Sequence, residues 1–324
     1  MKKILLACVA AVLGCASQIA ASEQPQWPSK AVRLIVFGGP GGVTDIRARW
    51  LAERLGPALG QSVIVENKPG AAGNIGAEYV ARSTPDGYTL GIIHQGIMTV
   101  NPHLYPKMGY DPLTDFAPIT RLGIGPLLLV ANPELPVRTA AELIQHAKSH
   151  QGKVTFGSPG VGTPPHLANE LFRRLAGIEV IHVPFKGGGQ AATDLIAGHV
   201  NYSIEGLTVM LPLVKSGRLR ALAVTGPRRV ASLPDVPTIA ESGLPGFEYQ
   251  GWVGIAAPAG TPRAVVERLY REVSAITTSV EGRAWFADAG AEPGNDPPDE
   301  LAASIRAEHG KWGTIIREAG IKGE

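Results

Sequence analysis

Residues 38–46 read Gly-Gly-Pro-Gly-Gly-Val-Thr-Asp-Ile, between an apolar run at 32–37 and an amphipathic run at 46–59. The order strand, glycine loop, helix constrains the fold more than any other feature of this chain. It also constrains the chemistry. A loop without side chains lets a ligand reach backbone N–H groups at a helix N-terminus, where unpaired donors and the helix dipole favour an anion. A tight turn that merely joins strand to helix is the plain alternative.

The pattern then repeats. Strands are expected at 63–66 and 88–93, with helices at 45–59 and 72–81, the latter after a second glycine loop at 69–73. This β-α-β-α order indicates an α/β domain with a largely parallel sheet. The pattern changes around 116–121. A second series follows, with strands at 127–131, 153–157, 180–184, 200–205 and 219–225. Its helices are expected at 140–150, with Thr139 as N-cap, and at 164–176, 190–197 and 210–216. Prolines 164 and 165 suit a first helical turn. A strand at 252–256 and long helical stretches at 262–280 and 298–319 read as packing back on the first domain. The expected fold is therefore α/β with two lobes. Lobe 1 is discontinuous, 23–123 and 251–324, and lobe 2 is 124–250. Two connections form a hinge, with a ligand cleft between the lobes.

Lys2 and Lys3 precede an apolar run at 4–14 that is too short to span a bilayer, so residues 1–22 read as a signal peptide. Both cysteines, Cys8 and Cys15, lie inside it, so a cleaved chain has no thiol chemistry. Val12-Leu13-Gly14-Cys15 loosely resembles a lipoprotein box, which makes lipid anchoring at Cys15 the minor alternative to a soluble protein outside the cytoplasmic membrane. The formal charge of +2 falls to zero without Lys2 and Lys3, leaving 28 basic against 28 acidic residues. With no basic stripe, nucleic acid is not an expected partner.

Known catalytic patterns are missing. Gly39-Pro40-Gly41 is not followed by the third glycine of a dinucleotide fingerprint, and no nucleotide P-loop occurs. Neither a G-x-S-x-G elbow nor an H-E-x-x-H helix is present. His166 and Glu170 stand four apart and could in principle share a metal, but such a pair is more often a cap and a surface residue. No catalytic residue, metal or cofactor is expected. The loop at 158–163, with Ser158, Gly160 and Thr163, has the same physics as the first loop. Paired across a cleft, the two would clamp a small polar anion. His94 and Gln95 follow a strand and could face the cleft. His182 reads as structural and Lys186 as solvated. Glu205 ends a strand and points either inward or to solvent.

These residues together resemble a known family. Pro40-Gly41-Gly42-x-Thr44-Asp45, Val65-Glu66-Asn67-Lys68-Pro69-Gly70-Ala71-Ala72-Gly73 and Pro85-Asp86-Gly87-Tyr88 stand in the first lobe. The second carries Gly157-Ser158-x-Gly160-x-Gly162-Thr163 and Val183-Pro184-Phe185-Lys186-Gly187, and Ala257-Pro258-Ala259-Gly260-Thr261-Pro262 follows. The chain is similar, over essentially its whole mature length, to the Bug family, the TctC-like substrate-binding proteins of tripartite tricarboxylate transporters. The resemblance implies a type II, Venus-flytrap periplasmic binding protein that closes on a small carboxylate and hands it to integral-membrane permease subunits. It implies a monomer, and an acid held by backbone amides, hydroxyls and waters without a dedicated arginine. The positions carried over are Gly42, Thr44, Ala71, Ala72, Ser158, Gly160 and Thr163. Phe37, Gly38, His94, Gln95, Gly187 and Glu205 complete the expected ligand-binding set.

Three departures stand out. Gly38 occupies a place where the family usually has an aromatic residue, His94-Gln95-Gly96 replaces a small hydroxyl-rich stretch, and Glu205 stands where aspartate is common. They favour a ligand larger or more polar than a simple amino acid. Two rival readings share parts of this pattern. An exported α/β enzyme would need a nucleophile or metal that is not visible. A sensory receptor feeding a signalling protein would share every feature.

Overall fold

The computed structural model describes residues 27–319. The expected signal peptide at 1–22, with Cys8 and Cys15, lies outside the described residues. β1 (Val32–Val36) is buried except at Arg33 and leads into the glycine loop. α1 (Val43–Leu59) starts two residues earlier than its expected start at 45. Gly42 serves as an N-cap that offers no side chain, and the helix ends at Gly60, whose left-handed φ of 70° lets its N–H reach the carbonyls of Gly56 and Pro57. β2 (Val63–Asn67) and β3 (Thr89–His94) flank β1 in parallel register, with a short 3-10 turn (Ala71–Gly73) and α2 (Asn74–Ala81) between them. The chain leaves β3 through a buried π-helical turn (Gly96–Val100) and α3 (Asn101–Leu104), neither of which the sequence pattern announces.

β4 (Phe116–Ala131) is one strand of 16 residues, where a strand was expected only at 127–131. Its first part pairs antiparallel with β9, from Phe116 opposite Pro258 to Pro126 opposite Gln250. Its last part, Leu127 to Ala131, pairs with β7 and β8 instead. One strand thus belongs to both lobes. Pro118, Gly123, Gly125 and Pro126 hide it from a periodicity reading. Register shifts between Pro118 and Thr120 and between Arg121 and Gly123 place bulges beside Pro118 and Gly123, whereas Gly125 and Pro126 stay in register opposite Gly251 and Gln250.

The second lobe runs α4 (Ala140–Ser149), β5 (Thr155–Ser158), α5 (Pro164–Ala176), β6 (Ile181–Pro184), α6 (Gly188–Ile196), β7 (Tyr202–Gly206), α7 (Leu207–Lys215) and β8 (Arg220–Val224). Thr139 caps α4 as expected, its hydroxyl accepting from Glu142 N at 3.1 Å. The chain returns through β9 (Gln250–Pro258), giving the order β2-β1-β3-β9-β4-β7-β5-β6. The sheet is parallel at its two ends and antiparallel in the middle, where β4 and β9 thread between lobes.

The expected helix at 262–280 is two helices, α8 (Arg263–Thr278) and α9 (Val280–Asp288). Ser279 is extended, with ψ 164°, and its hydroxyl caps Gly282 N at 2.9 Å, which starts the second helix. β10 (Glu292–Pro293) then pairs with β4. α10 (Pro298–Ala319) does not pack on the first lobe alone. Leu301 and Ile305 join Ile35, Phe37 and Trp252 in one core, whereas Ile316 joins Leu129, Phe247 and Tyr249 in the core of the second.

Candidate functional site

Between the lobes lies a cleft of about 1100 Å³, part of it open to solvent. The first lobe lines it with the 37–44 loop, the 70–73 loop, Arg47 and His94. The second contributes Pro159, the start of α5, residues 185–188 and residues 205–208.

The first loop is pinned from below. Asp45 accepts from Gly41 N at 3.0 Å, from Asn67 Nδ2 at 2.9 Å and from Arg49 Nη2 at 2.9 Å, and Asn67 also donates to Gly38 O at 3.0 Å. Burial pushes the Asp45 carboxyl up, but these donors together hold it below its ordinary value. The first intrahelical bond of α1 runs from Ile46 N to Gly42 O, so the N–H groups of Val43, Thr44 and Asp45 have no helical acceptor. Thr44 and Gly42 line the cleft beside them. The second loop is strained. Ala71 and Ala72 sit at φ 45° and 52°, a left-handed region that costs an L-residue roughly 1–2 kcal/mol. Such strain persists only where the surroundings over-determine it, and it clusters at ligand sites.

The jaws pair differently from the sequence expectation. The 38–42 loop meets residues 186–189, not 158–163. Gly39 N donates to Lys186 O at 3.2 Å, and a Cβ on Gly189 would stand 2.6 Å from Pro40 O. Glycine on both sides lets the two backbones touch, which closes the lobes. The 158–163 loop faces the second loop instead, with the place of a Gly160 Cβ 3.7 Å from Ala72 Cα.

That loop is also chemically spent. Ser158 is fully buried and off the cleft wall, its Oγ bonded to His182 Nε2 at 2.7 Å and to Gly160 N at 3.2 Å. Gly160 is off the wall as well. Thr163 lines the cleft, but its hydroxyl donates to Gly160 O at 2.7 Å. Pro164 and Pro165 remove two N–H donors from the first turn of α5 and present an apolar wall. His166 takes Gly162 N on Nδ1 at 3.2 Å, and burial pushes both His166 and His182 down to about 4. Glu170 pairs with Arg173 at 2.8 Å. Among the described residues no group of three or more His, Cys, Asp or Glu could hold a metal.

Of the remaining expected residues, Phe37, Gly38, His94, Gly187 and Glu205 all line the cleft. His94 is buried with Nδ1 unpartnered, and burial pushes it down to about 4, so it is neutral. Gln95 turns the other way, donating to Glu308 at 3.1 Å and accepting from Tyr249 Oη at 2.8 Å. It ties the end of β3 to α10 and contacts no ligand space. Glu205 faces inward and is 2% exposed. Its Oε1 accepts from Gly206 N at 2.8 Å, its Oε2 has no partner, and burial raises its pKa to about 7.

Sequence reading missed Arg47. It lines the cleft and is 6% exposed, with Nη1 on Gly123 O at 3.2 Å and Nε unpartnered. Burial pushes it down to about 10, which leaves it charged at neutral pH. The signal was its spacing. It stands three and four residues after Thr44 and Val43, on the same helix face as the loop end.

An α/β sheet shared by two lobes, joined by a strand common to both and closed over a cleft lined by helix N-termini, defines the class of periplasmic binding proteins. The family model described as the tripartite tricarboxylate transporter family receptor, TctC, matches residues 47–321, and the chain belongs to that family. Protein BugT of Bordetella pertussis is 36% identical over 319 residues, covering 98% of each chain. The structure of R. palustris Rpa4515 with adipate is 39% identical, with a TM-score of 0.89 over 92% of this chain and 100% of that one. MatC from Rhodopseudomonas palustris with bound malate is 32% identical, with a TM-score of 0.85 over 90% of this chain and 100% of that one. The family consists of periplasmic solute-binding receptors, not enzymes.

Proposed function

We propose that this receptor binds a small carboxylate in the interlobe cleft, closes over it, and delivers it in the periplasm to integral-membrane permease subunits. The observation that carries this reading is the convergence of positive potential on one cleft. The first turns of α1, α6 and α7 all line the cleft, and none of the three has a side-chain cap. Their unpaired N–H groups and dipoles favour an anion, and Arg47 adds a full charge. The adipate and malate of the similar structures are acids of the class such a cleft would hold.

In this reading the protein is a monomer. Its lobes are 23–123 with 251–324, and 124–250, and they rotate about β4 and the segment entering β9. Ligand shifts the population toward the closed form because only that form offers both jaws. A thermal-shift screen of aliphatic, hydroxylated and aromatic carboxylates tests it. A ligand at a hundredfold excess over its dissociation constant adds about 2.7 kcal/mol, which raises the melting temperature by roughly 5 °C. No shift with any acid overturns the reading.

A further inference from the structure

Arg47 is buried, charged and uncompensated. Among the described residues its one hydrogen-bond partner is the carbonyl of Gly123 and no carboxylate pairs with it, and its guanidinium lies 5.5 Å from the Phe286 ring centroid. The acid nearest in sequence, Asp45, is committed to Arg49, Asn67 and Gly41. A buried cation without a counter-charge is expensive, and a ligand that supplies the counter-charge removes that expense. Arg47 also differs from the other cleft groups in direction. The loop N–H groups open at the N-terminus of α1, whereas the guanidinium turns toward β4 at Gly123 and α9 at Phe286. Val43, Pro126, Leu127, Leu207 and Val253 line the same cleft with apolar surface.

We propose that Arg47 is a specificity-determining residue that takes an anionic oxygen of the ligand on the β4 side of the cleft. The receptor thereby selects acids that bring a second negative group over matched acids whose far end is apolar. The loop amides hold one carboxylate, apolar walls cover the linker, and the guanidinium holds the other end. This rests on the carboxylate-receptor reading above, which by itself calls for only one acid group.

Calorimetric titration with matched pairs of one carbon skeleton tests it: adipate against hexanoate, phthalate against 2-methylbenzoate, malate against 3-hydroxybutyrate. The wild type should prefer the diacid of a bound pair by about tenfold or more, the worth of a charge-assisted hydrogen bond. Arg47→Met should lose about ten- to a hundredfold for that diacid while its affinity for the monoacid holds or improves. Arg47→Gln, which keeps a donor for Gly123 O, should lose the same preference, and Arg47→Lys should retain part of it. Without ligand, Arg47→Met should melt above the wild type, because an uncompensated charge is gone. If acids bind but the wild type does not discriminate within pairs, or the neutral variants discriminate equally well, Arg47 does not read the ligand. If no acid of either kind binds, the carboxylate-receptor reading itself falls.

Discussion

Glu205→Gln gives the sharpest test of how the cleft floor is built. Glu205 is 2% exposed, has among the described residues one hydrogen bond from Gly206 N and no paired cation, and its pKa is raised by burial from 4.5 to about 7. Below the ordinary value both folded and unfolded states carry the proton, and the carboxyl costs nothing. Between that value and about 7 the unfolded chain releases its proton while the folded protein keeps it, so stability falls as pH rises. Above about 7 both states are ionised and the penalty is constant. At about 1.4 kcal/mol per pH unit the total comes to about 3 kcal/mol. Glutamine keeps the shape and the acceptor for Gly206 but cannot ionise. Urea unfolding of the ligand-free protein should therefore show the variant gaining on the wild type from about pH 4.5 to about pH 7, by about 3 kcal/mol in all, and level beyond. A difference that stays constant across that range would refute the buried, uncompensated carboxyl.

Four further substitutions separate closure, loop support, ligand contact and strain. Gly189→Val places a side chain against Pro40 O, from which even its Cβ would stand only 2.6 Å away. It should hold the lobes apart, weaken ligand by about tenfold or more, and leave ligand-free urea stability within about 1 kcal/mol. Ser158→Ala removes the bond to His182 and should cost about 1–2 kcal/mol in unfolding experiments with little change in affinity, whereas Thr44→Val should lower affinity in calorimetry and leave stability almost unchanged. Ala72→Gly relieves a left-handed residue and should raise the unfolding free energy by up to about 1 kcal/mol, net of the greater freedom glycine gives the unfolded chain.

What could be read from the sequence was local. The glycine loops, the βα alternation, the Thr139 cap and the start of α5 at Pro164 are each signalled within a few residues. Pairings across the chain were not. Ser158 looked like a free hydroxyl because its partner, His182, lies 24 residues away on the neighbouring strand. Gln95 looked like a cleft residue because Glu308 and Tyr249, which occupy its amide, come from α10 and from the segment before β9. β4 was hidden because proline and glycine usually end strands, and only the bulged register against β9 shows how they are accommodated. Arg47 escaped because an arginine on an amphipathic helix ordinarily faces solvent, as Arg49 does; here β4 and α9 cover it. The pairing of the 38–42 loop with 186–189 depends on lobe closure, which no local pattern encodes.

The central claim is that the interlobe cleft binds a carboxylate at the N-terminus of α1. A crystal structure with the tightest acid from the thermal-shift screen tests it most directly. The account expects the acid enclosed between the 38–44 and 70–73 loops, one carboxylate on the N–H groups of Val43 and Thr44, with the Gly39 to Lys186 contact intact. An acid bound outside the cleft, for example in the surface groove of Lys30, Arg33 and Arg82, with the cleft filled only by water, would contradict it.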